Sequence, residues 1–138
     1  MSALVQRRHF PSTPASAGAA RRFVESVLAA SELDHLTYPA TMLVSELVAN
    51  AILHTGTPLV VVIAPEGDRV RVEVHDGSTR LPVRKHYSNM SGTGRGLMLV
   101  DRMATEWGSD RTDDGKVVWF ELDGQATSIV DILDAEAL

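Results

Sequence analysis

Residues 46–51 read Glu-Leu-Val-Ala-Asn-Ala and place an acid and an amide four positions apart within an apolar stretch. The stretch runs from about Pro39 to about His54. Its apolar residues recur every three or four positions, which predicts a helix with one buried side. Glu46 and Asn50 then project from neighbouring turns toward one volume. Their oxygens suit Mg²⁺, although a solvated helix face is the more frequent origin of such a pair.

A second polar position lies at the end of a predicted strand. Residues 69–75 alternate valines with charged or histidine side chains, a pattern typical of a strand that is packed on one face only. Asp76 ends this strand and Gly77 follows it, so the carboxylate lies where the backbone can turn sharply. The carboxylate can accept a hydrogen bond from an exocyclic amine, or it can serve only to form the turn.

A glycine-rich segment opens the next predicted helix, which ends near Ala104. Residues 92–97 read Gly-Thr-Gly-Arg-Gly-Leu, and backbone N–H groups at such a helix start suit a polyphosphate. The segment is neither the Gly-x-Gly-x-x-Gly of dinucleotide-binding folds nor a Walker A loop, which needs Gly-Lys-Ser/Thr. The candidate ligand contacts in this segment are Gly92, Thr93, Gly94, Arg95, Gly96 and Leu97.

The remaining patterns predict a single α/β domain with helices on one side of a sheet. We expect an edge strand in residues 5–11, a helix over 15–30, a strand over 59–63, a turn at 65–68, and strands near 105–111 and 116–122. Trp107 and Trp119 are predicted to lie in the core. The predicted organisation has three parts. Residues 1–14 form an N-terminal segment or edge strand, residues 15–123 form the domain, and residues 124–138 form a short helix or a disordered tail.

Composition excludes several classes of function. The 138 residues carry a formal net charge of −5 and contain no cysteine. An acidic chain is a poor binder of nucleic acid, because phosphate neutralisation needs clustered Lys and Arg. The absence of cysteine rules out disulfides and thiolate zinc sites and is typical of a reducing compartment. The longest apolar run, residues 59–64, is far shorter than the roughly 20 residues that cross a bilayer, so we expect a cytoplasmic protein that does not contact membranes.

The three polar motifs occur in an order that resembles the GHKL ATP-binding fold of histidine kinases, gyrase-type ATPases and Hsp90. The strongest likeness is to bacterial anti-sigma factor serine/threonine kinases of the actinobacterial type. It is carried by residues 46–51, 74–78 and 94–101, and further by 106–108 and 115–122. The resemblance implies the Bergerat fold, an α+β two-layer sandwich whose sheet is mixed but mostly antiparallel, with helices on one face.

The resemblance also implies ATP and Mg²⁺ as cofactors and a role for each motif residue. Asn50 would bind Mg²⁺, and Glu46 would act as a general base or orient a water molecule. Asp76, followed by Gly77, would hold the adenine amine. The glycines of residues 92–97 would shape the lid and the phosphate contacts.

Two departures from the family pattern affect the adenine side. The family's Asp-x-Gly-x-Gly box has Ser78 and Arg80 in place of its two glycines here. Val117 stands where relatives often carry a threonine that helps the aspartate hold the base through water. We therefore expect reduced adenine affinity.

Two functions from different classes remain open. The first is a protein serine/threonine kinase that, by resemblance, phosphorylates a small anti-anti-sigma antagonist and sequesters a sigma factor. The second is a non-catalytic module that binds a protein partner in an ATP-dependent manner. A plain interaction domain without nucleotide is the least expected, because Asn50, Asp76 and the glycine segment are all present. A homodimer through the N-terminal strand and first helix is a further open alternative.

Overall fold

The computed structural model describes residues 4–78 and 100–124. Its elements are β1 (Gln6–Phe10), α1 (Ala15–Ala30), a 3₁₀ helix (Asp34–Leu36), α2 (Thr37–Thr55), β2 (Leu59–Glu66), β3 (Arg69–Asp76), β4 (Glu106–Thr112) and β5 (Gly115–Leu122). Residues 100–103 are helical, at the end of the helix expected before β4. The glycine segment, residues 92–97, and residues 125–138 of the predicted tail lie outside the described residues.

The five strands form one sheet in the order β1-β2-β3-β5-β4. We expected a mixed, mostly antiparallel sheet, and all four described pairings are antiparallel. Two of them are hairpins: β2 and β3 are joined by the turn at residues 67–68, and β4 and β5 by the turn at residues 113–114. The other two pairings, β1 with β2 and β3 with β5, join segments that are far apart in the sequence.

Side chains alternate across the sheet, and one face carries the core. The valines at positions 70, 72 and 74 of β3 are all buried, and in β5 they lie opposite Leu122, Phe120 and Val118. Helices α1 and α2 cover this face and pack against each other. The prediction of helices on one side of the sheet is thus confirmed, and we call this side the helix face and the other the open face.

Helix α2 is the central element of the helix layer. Its buried residues are Pro39, Ala40, Thr41, Leu43, Val44, Leu47, Val48 and Ala51. By length and a mean hydropathy of 1.3, the stretch Asp34–Thr55 passes for a membrane-spanning helix. Its apolar side nevertheless packs on α1 and β3, which is how a core helix uses such a composition.

Helix α1 matches its predicted bounds, whereas the strand boundaries differ in one instructive place. We expected the chain to turn from Pro65, but Pro65 lies inside β2 opposite Val70. Proline has no N–H to donate and is tolerated where a strand has a neighbour on one side only. The pairing of β1 ends at Ile63, so β2 is such an edge at Pro65.

The open face carries a charged network around Trp119. The guanidinium of Arg71 lies 4.1 Å from the ring centroid of Trp119. Arg71 also donates to Glu73 (Nε to Oε2, 2.8 Å), and Glu73 Oε1 lies 2.8 Å from Nε2 of His75. The prediction that Trp119 lies in the core was wrong, because odd-numbered residues of β5 point to the open face. Trp107 does pack against the core.

Candidate nucleotide site

The acid and amide of α2 lie on the side of the helix that the core leaves uncovered. Glu46 and Asn50 are half-buried, and the residues that flank them, Leu47 and Ala51, are buried. Within the described part of the chain, neither Glu46 nor Asn50 makes a side-chain hydrogen bond or ion pair. Two hard oxygen donors one turn apart, free of protein partners, suit a hydrated Mg²⁺ held with phosphates.

Asp76 ends β3 with its side chain on the helix face. Its position follows from alternation, since it continues the buried series of Val72 and Val74. The side chain is only 2% exposed. Its Oδ1 accepts a hydrogen bond from the backbone N–H of Ser78 at 2.8 Å. The predicted turn at Asp76 therefore forms with serine in the place of glycine.

Burial governs the protonation of this carboxyl group. Removal from water raises the pKa of Asp76, and the Ser78 N–H and the ammonium of Lys116 offset only part of that rise. An ionised Asp76 accepts a hydrogen bond from an amine more strongly than the protonated form does. A ligand that donates to it would therefore stabilise the form that burial disfavours.

A short chain of hydrogen bonds connects α2 to the end of β3. The backbone N–H of Gly77 donates to Oγ1 of Thr57 at 2.8 Å. Thr57 Oγ1 lies 3.0 Å from Oγ1 of Thr55, which donates to the carbonyl of Ala51 at 2.8 Å. Ala51 follows Asn50 in the sequence and Gly77 follows Asp76. The network therefore fixes the two predicted site residues at the same end of the domain.

Close backbone approach holds Asp76 from its other side. Gly115 begins β5 next to the end of β3, and a Cβ atom there would collide with the carbonyl oxygen of Asp76 and lie 2.7 Å from Cα of Gly77. Gly77 is itself confined, because a Cβ atom on it would lie 3.1 Å from Cγ2 of Thr57. The observed packing therefore requires glycine at position 115, whereas a Cβ atom at position 77 would require the Thr57 side chain to shift by a few tenths of an ångström.

The structure corrects the residue that faces Asp76 from β5. Sequence comparison with the family pattern had assigned this place to Val117. Val117 instead pairs with His75 and belongs to the open face. Lys116 pairs with Asp76, and its Nζ lies 3.7 Å from Asp76 Oδ2. Strand alternation is the reason, since a shift of one residue moves a side chain to the opposite face.

Sequence analysis selected Glu46, Asn50, Asp76 and Gly77 as candidate site residues, and it did not select Thr57 and Lys116, which contact Gly77 and Asp76 in the structure. The alternation of β5 did contain the information needed to select Lys116. The even-numbered residues Val118, Phe120 and Leu122 lie on the helix face. Position 116 is also even-numbered, so its side chain lies on the same face. No local pattern marks Thr57, because its partner is 20 residues away. The predicted phosphate contacts in residues 92–97 lie outside the described residues.

Together these residues can bind the two ends of a nucleotide. Asp76 offers a buried acceptor of the kind that holds a base amine, and Asn50 and Glu46 offer oxygens for a metal and a proton-accepting carboxylate. Asn50 and Asp76 lie at the same end of the domain, and Glu46 lies one turn back along α2. The donor set therefore fits Mg-ATP.

Comparison with known proteins agrees with this geometry. The model of the histidine kinase-like ATPase domain family matches residues 10–122, which include every described residue of the site. No curated protein matches the chain. The chain therefore belongs to the histidine kinase-like ATPase domain family and is an ATP-binding module of the GHKL type.

Proposed function

We propose that this module is a cytoplasmic regulatory protein kinase that uses Mg-ATP to phosphorylate a serine or threonine of a small antagonist protein. Following the resemblance to anti-sigma factor kinases, its second partner is a sigma factor that it sequesters. The observation that carries the proposal is the pair Glu46 and Asn50, one helical turn apart on α2 and half-buried, with no side-chain hydrogen bond or ion pair to any described residue.

Each residue has a distinct part in that activity. The side-chain oxygen of Asn50 would hold Mg²⁺, and Oδ2 of Asp76 would accept a hydrogen bond from the base. Glu46 would accept the proton of the attacking hydroxyl group. When bound, ATP supplies the γ-phosphoryl group, and Mg²⁺ neutralises the negative charge that develops on it during transfer. The protein contributes mainly by positioning these groups.

A second candidate is a non-catalytic module that binds a partner only when ATP is present. Ser78 favours this alternative, because it replaces a glycine of the family box next to the base-binding Asp76. In such a module nucleotide would order a segment and so expose or hide the partner surface. Glu46 would then have no role in chemistry.

Phosphate transfer separates the two candidates. The purified protein would be incubated with γ-labelled ATP, Mg²⁺ and fractionated extract of its source cells, and labelled proteins would be tested for alkali-labile, acid-stable phosphate. The kinase predicts a labelled serine or threonine that is lost with Glu46→Gln, while Glu46→Gln still binds ATP. Glu25→Gln, an exposed change on α1, is the matched control. Binding of ATP without label above the Glu46→Gln background would establish the non-catalytic module.

A further inference from the structure

Lys116 and Asp76 are the two buried charged residues of the described chain, and they face each other. Both residues are 8% exposed. Their closest atoms, Nζ and Oδ2, lie 3.7 Å apart, well beyond the roughly 2.7–2.9 Å of a charge-assisted hydrogen bond. Burying two charges costs free energy that attraction offsets only when the geometry is good. This pair is therefore poorly explained as a purely structural ion pair.

Among the described residues, the hydrogen-bonding capacity of the pair is mostly unused. Oδ1 of Asp76 accepts from the backbone N–H of Ser78, whereas the one described partner of Oδ2 is the distant ammonium. The ammonium of Lys116 has three donors and, in the described part of the chain, no partner other than Asp76. The end of β3 and the start of β5 thus present an acceptor, Asp76, and a donor, Lys116, side by side on the helix face.

Such a pair has consequences for the base that the site accepts. A carboxylate alone favours a purine with an amino group at C6 and rejects one with a carbonyl there, because two acceptors would face each other. An unpaired buried acceptor of that kind weakens binding by roughly tenfold or more. An ammonium beside the carboxylate supplies the donor that a C6 carbonyl needs.

We infer that Lys116 makes base recognition in this chain permissive, so that the site takes both 6-amino and 6-oxo purine nucleoside triphosphates. Asp76 accepts from the 6-amino group, and Lys116 donates to the 6-oxo group. The inference rests on the proposed nucleotide binding, and it assigns to Lys116 the role of a specificity-determining residue.

Inosine triphosphate is the matched probe, because the position-6 substituent and the N1 hydrogen that accompanies it are its only differences from ATP. Calorimetric titration would give the ratio of the two dissociation constants, with Mg²⁺ present, for the natural protein and for Lys116→Met. The natural protein is expected to bind the two nucleotides within about tenfold. Lys116→Met should weaken inosine triphosphate at least about tenfold more than ATP. Lys116→Arg, which keeps charge and donors, should retain the natural ratio.

The outcomes separate this inference from the function on which it rests. A natural protein that binds ATP but discriminates against inosine triphosphate by more than about a hundredfold would overturn the inference and leave ATP binding intact. The same holds if Lys116→Met leaves the ratio unchanged. Binding of neither nucleotide would overturn the nucleotide site itself. A ratio above about a hundredfold for the natural protein overturns the inference even if Lys116→Met does not fold.

Discussion

The backbone N–H of Gly77 donates to Oγ1 of Thr57 across 2.8 Å and so ties the end of β3 to the loop that follows α2. The bond spans 20 residues of sequence and joins the two elements that carry Asp76 and Asn50. A nucleotide that contacts both residues depends on their separation. We therefore predict that Thr57 positions the candidate site, although no sequence pattern marks this residue.

Removal of this acceptor should affect stability and binding together. Thr57→Val keeps the volume of the side chain but leaves the Gly77 N–H without its partner. We expect a loss of about 1 kcal/mol in the free energy of unfolding and weaker ATP binding, measured by urea denaturation and calorimetry. Ser26→Ala removes a comparable hydrogen bond to the Phe23 carbonyl in α1 and should leave ATP affinity unchanged. Equal affinity in both variants would show that Thr57 does not position the site.

The close approach of β5 to Asp76 makes a second prediction. Gly115→Ala introduces a Cβ atom that would collide with the Asp76 carbonyl oxygen, so the two strands must separate where the site is built. We expect several-fold weaker ATP binding and a destabilisation of about 1–3 kcal/mol.

Gly67→Ala is the matched control for that change. Gly67 has a φ of 61° and open space around its Cα atom, so alanine there costs about 1–2 kcal/mol of backbone strain. It lies in the β2–β3 turn at the other end of the sheet and should leave ATP affinity unchanged. If Gly115→Ala is as benign for binding as Gly67→Ala, the strand contact does not shape the site.

The raised pKa of Asp76 predicts a pH dependence of ATP binding. Burial shifts this pKa above the ordinary 3.8, and the ionised carboxyl group accepts a hydrogen bond from the base amine more strongly than the protonated group does. Affinity should therefore fall as pH is lowered through the raised pKa, earlier than for an exposed aspartate. Calorimetric titrations from neutral to mildly acidic pH would measure this fall in affinity. The variant Asp76→Asn lacks the titrating carboxyl group, so the part of the pH dependence that comes from Asp76 should be absent from it. Identical pH profiles for both proteins would exclude Asp76 as the acceptor.

Glu73 on the open face has a pKa shift in the opposite direction, and this shift predicts a pH dependence of stability. Burial raises the pKa of Glu73, but the hydrogen bonds with His75 and Arg71 outweigh it and hold the pKa below the ordinary 4.5. A lowered pKa means that the ionised form stabilises the fold above 4.5, and that this contribution is lost as pH falls through the lower folded value.

The variant Glu73→Gln tests this sign. We expect it to be about 1 kcal/mol less stable than the natural protein at neutral pH, a magnitude reduced by solvent screening. The difference should close in acid, as followed by urea denaturation across pH. Glu25→Gln, an exposed change on α1, should show no such trend. A difference that is constant with pH would mean that the network around Arg71 does not involve an ionised Glu73.

Much of the fold was accessible from periodicity alone. The bounds of α1 follow from three- and four-residue spacing, and β3 follows from the alternation of residues 69–75. Pro65 was misjudged because its tolerance depends on where the pairing of β1 ends, which is a tertiary fact. The prediction for Trp119 was wrong because it rested on the frequent burial of tryptophan. It did not take into account which face of β5 the odd-numbered residues occupy.

The site was predictable where motif residues lie on one element and less so across elements. Glu46 and Asn50 needed only helix geometry, and Asp76 needed only the end of a strand. The neighbour of Asp76 required the register between β3 and β5, and an error of one position exchanged Lys116 for Val117. The side chain that faces Asp76 from β5 is therefore an ammonium group, and not the apolar side chain of Val117.

The central claim is that Asn50 and Asp76 belong to one Mg-ATP site. Its most direct test is a thermal-shift titration with ATP, with and without Mg²⁺, on the natural protein, Asn50→Ala and the control Glu25→Gln. A ligand that binds only the folded state stabilises it by roughly 2.7 kcal/mol at a hundredfold excess over Kd. The account predicts a Mg²⁺-dependent rise in Tm for the natural protein and for Glu25→Gln, and its loss in Asn50→Ala. No rise at millimolar ATP, or an equal rise in Asn50→Ala, would contradict it.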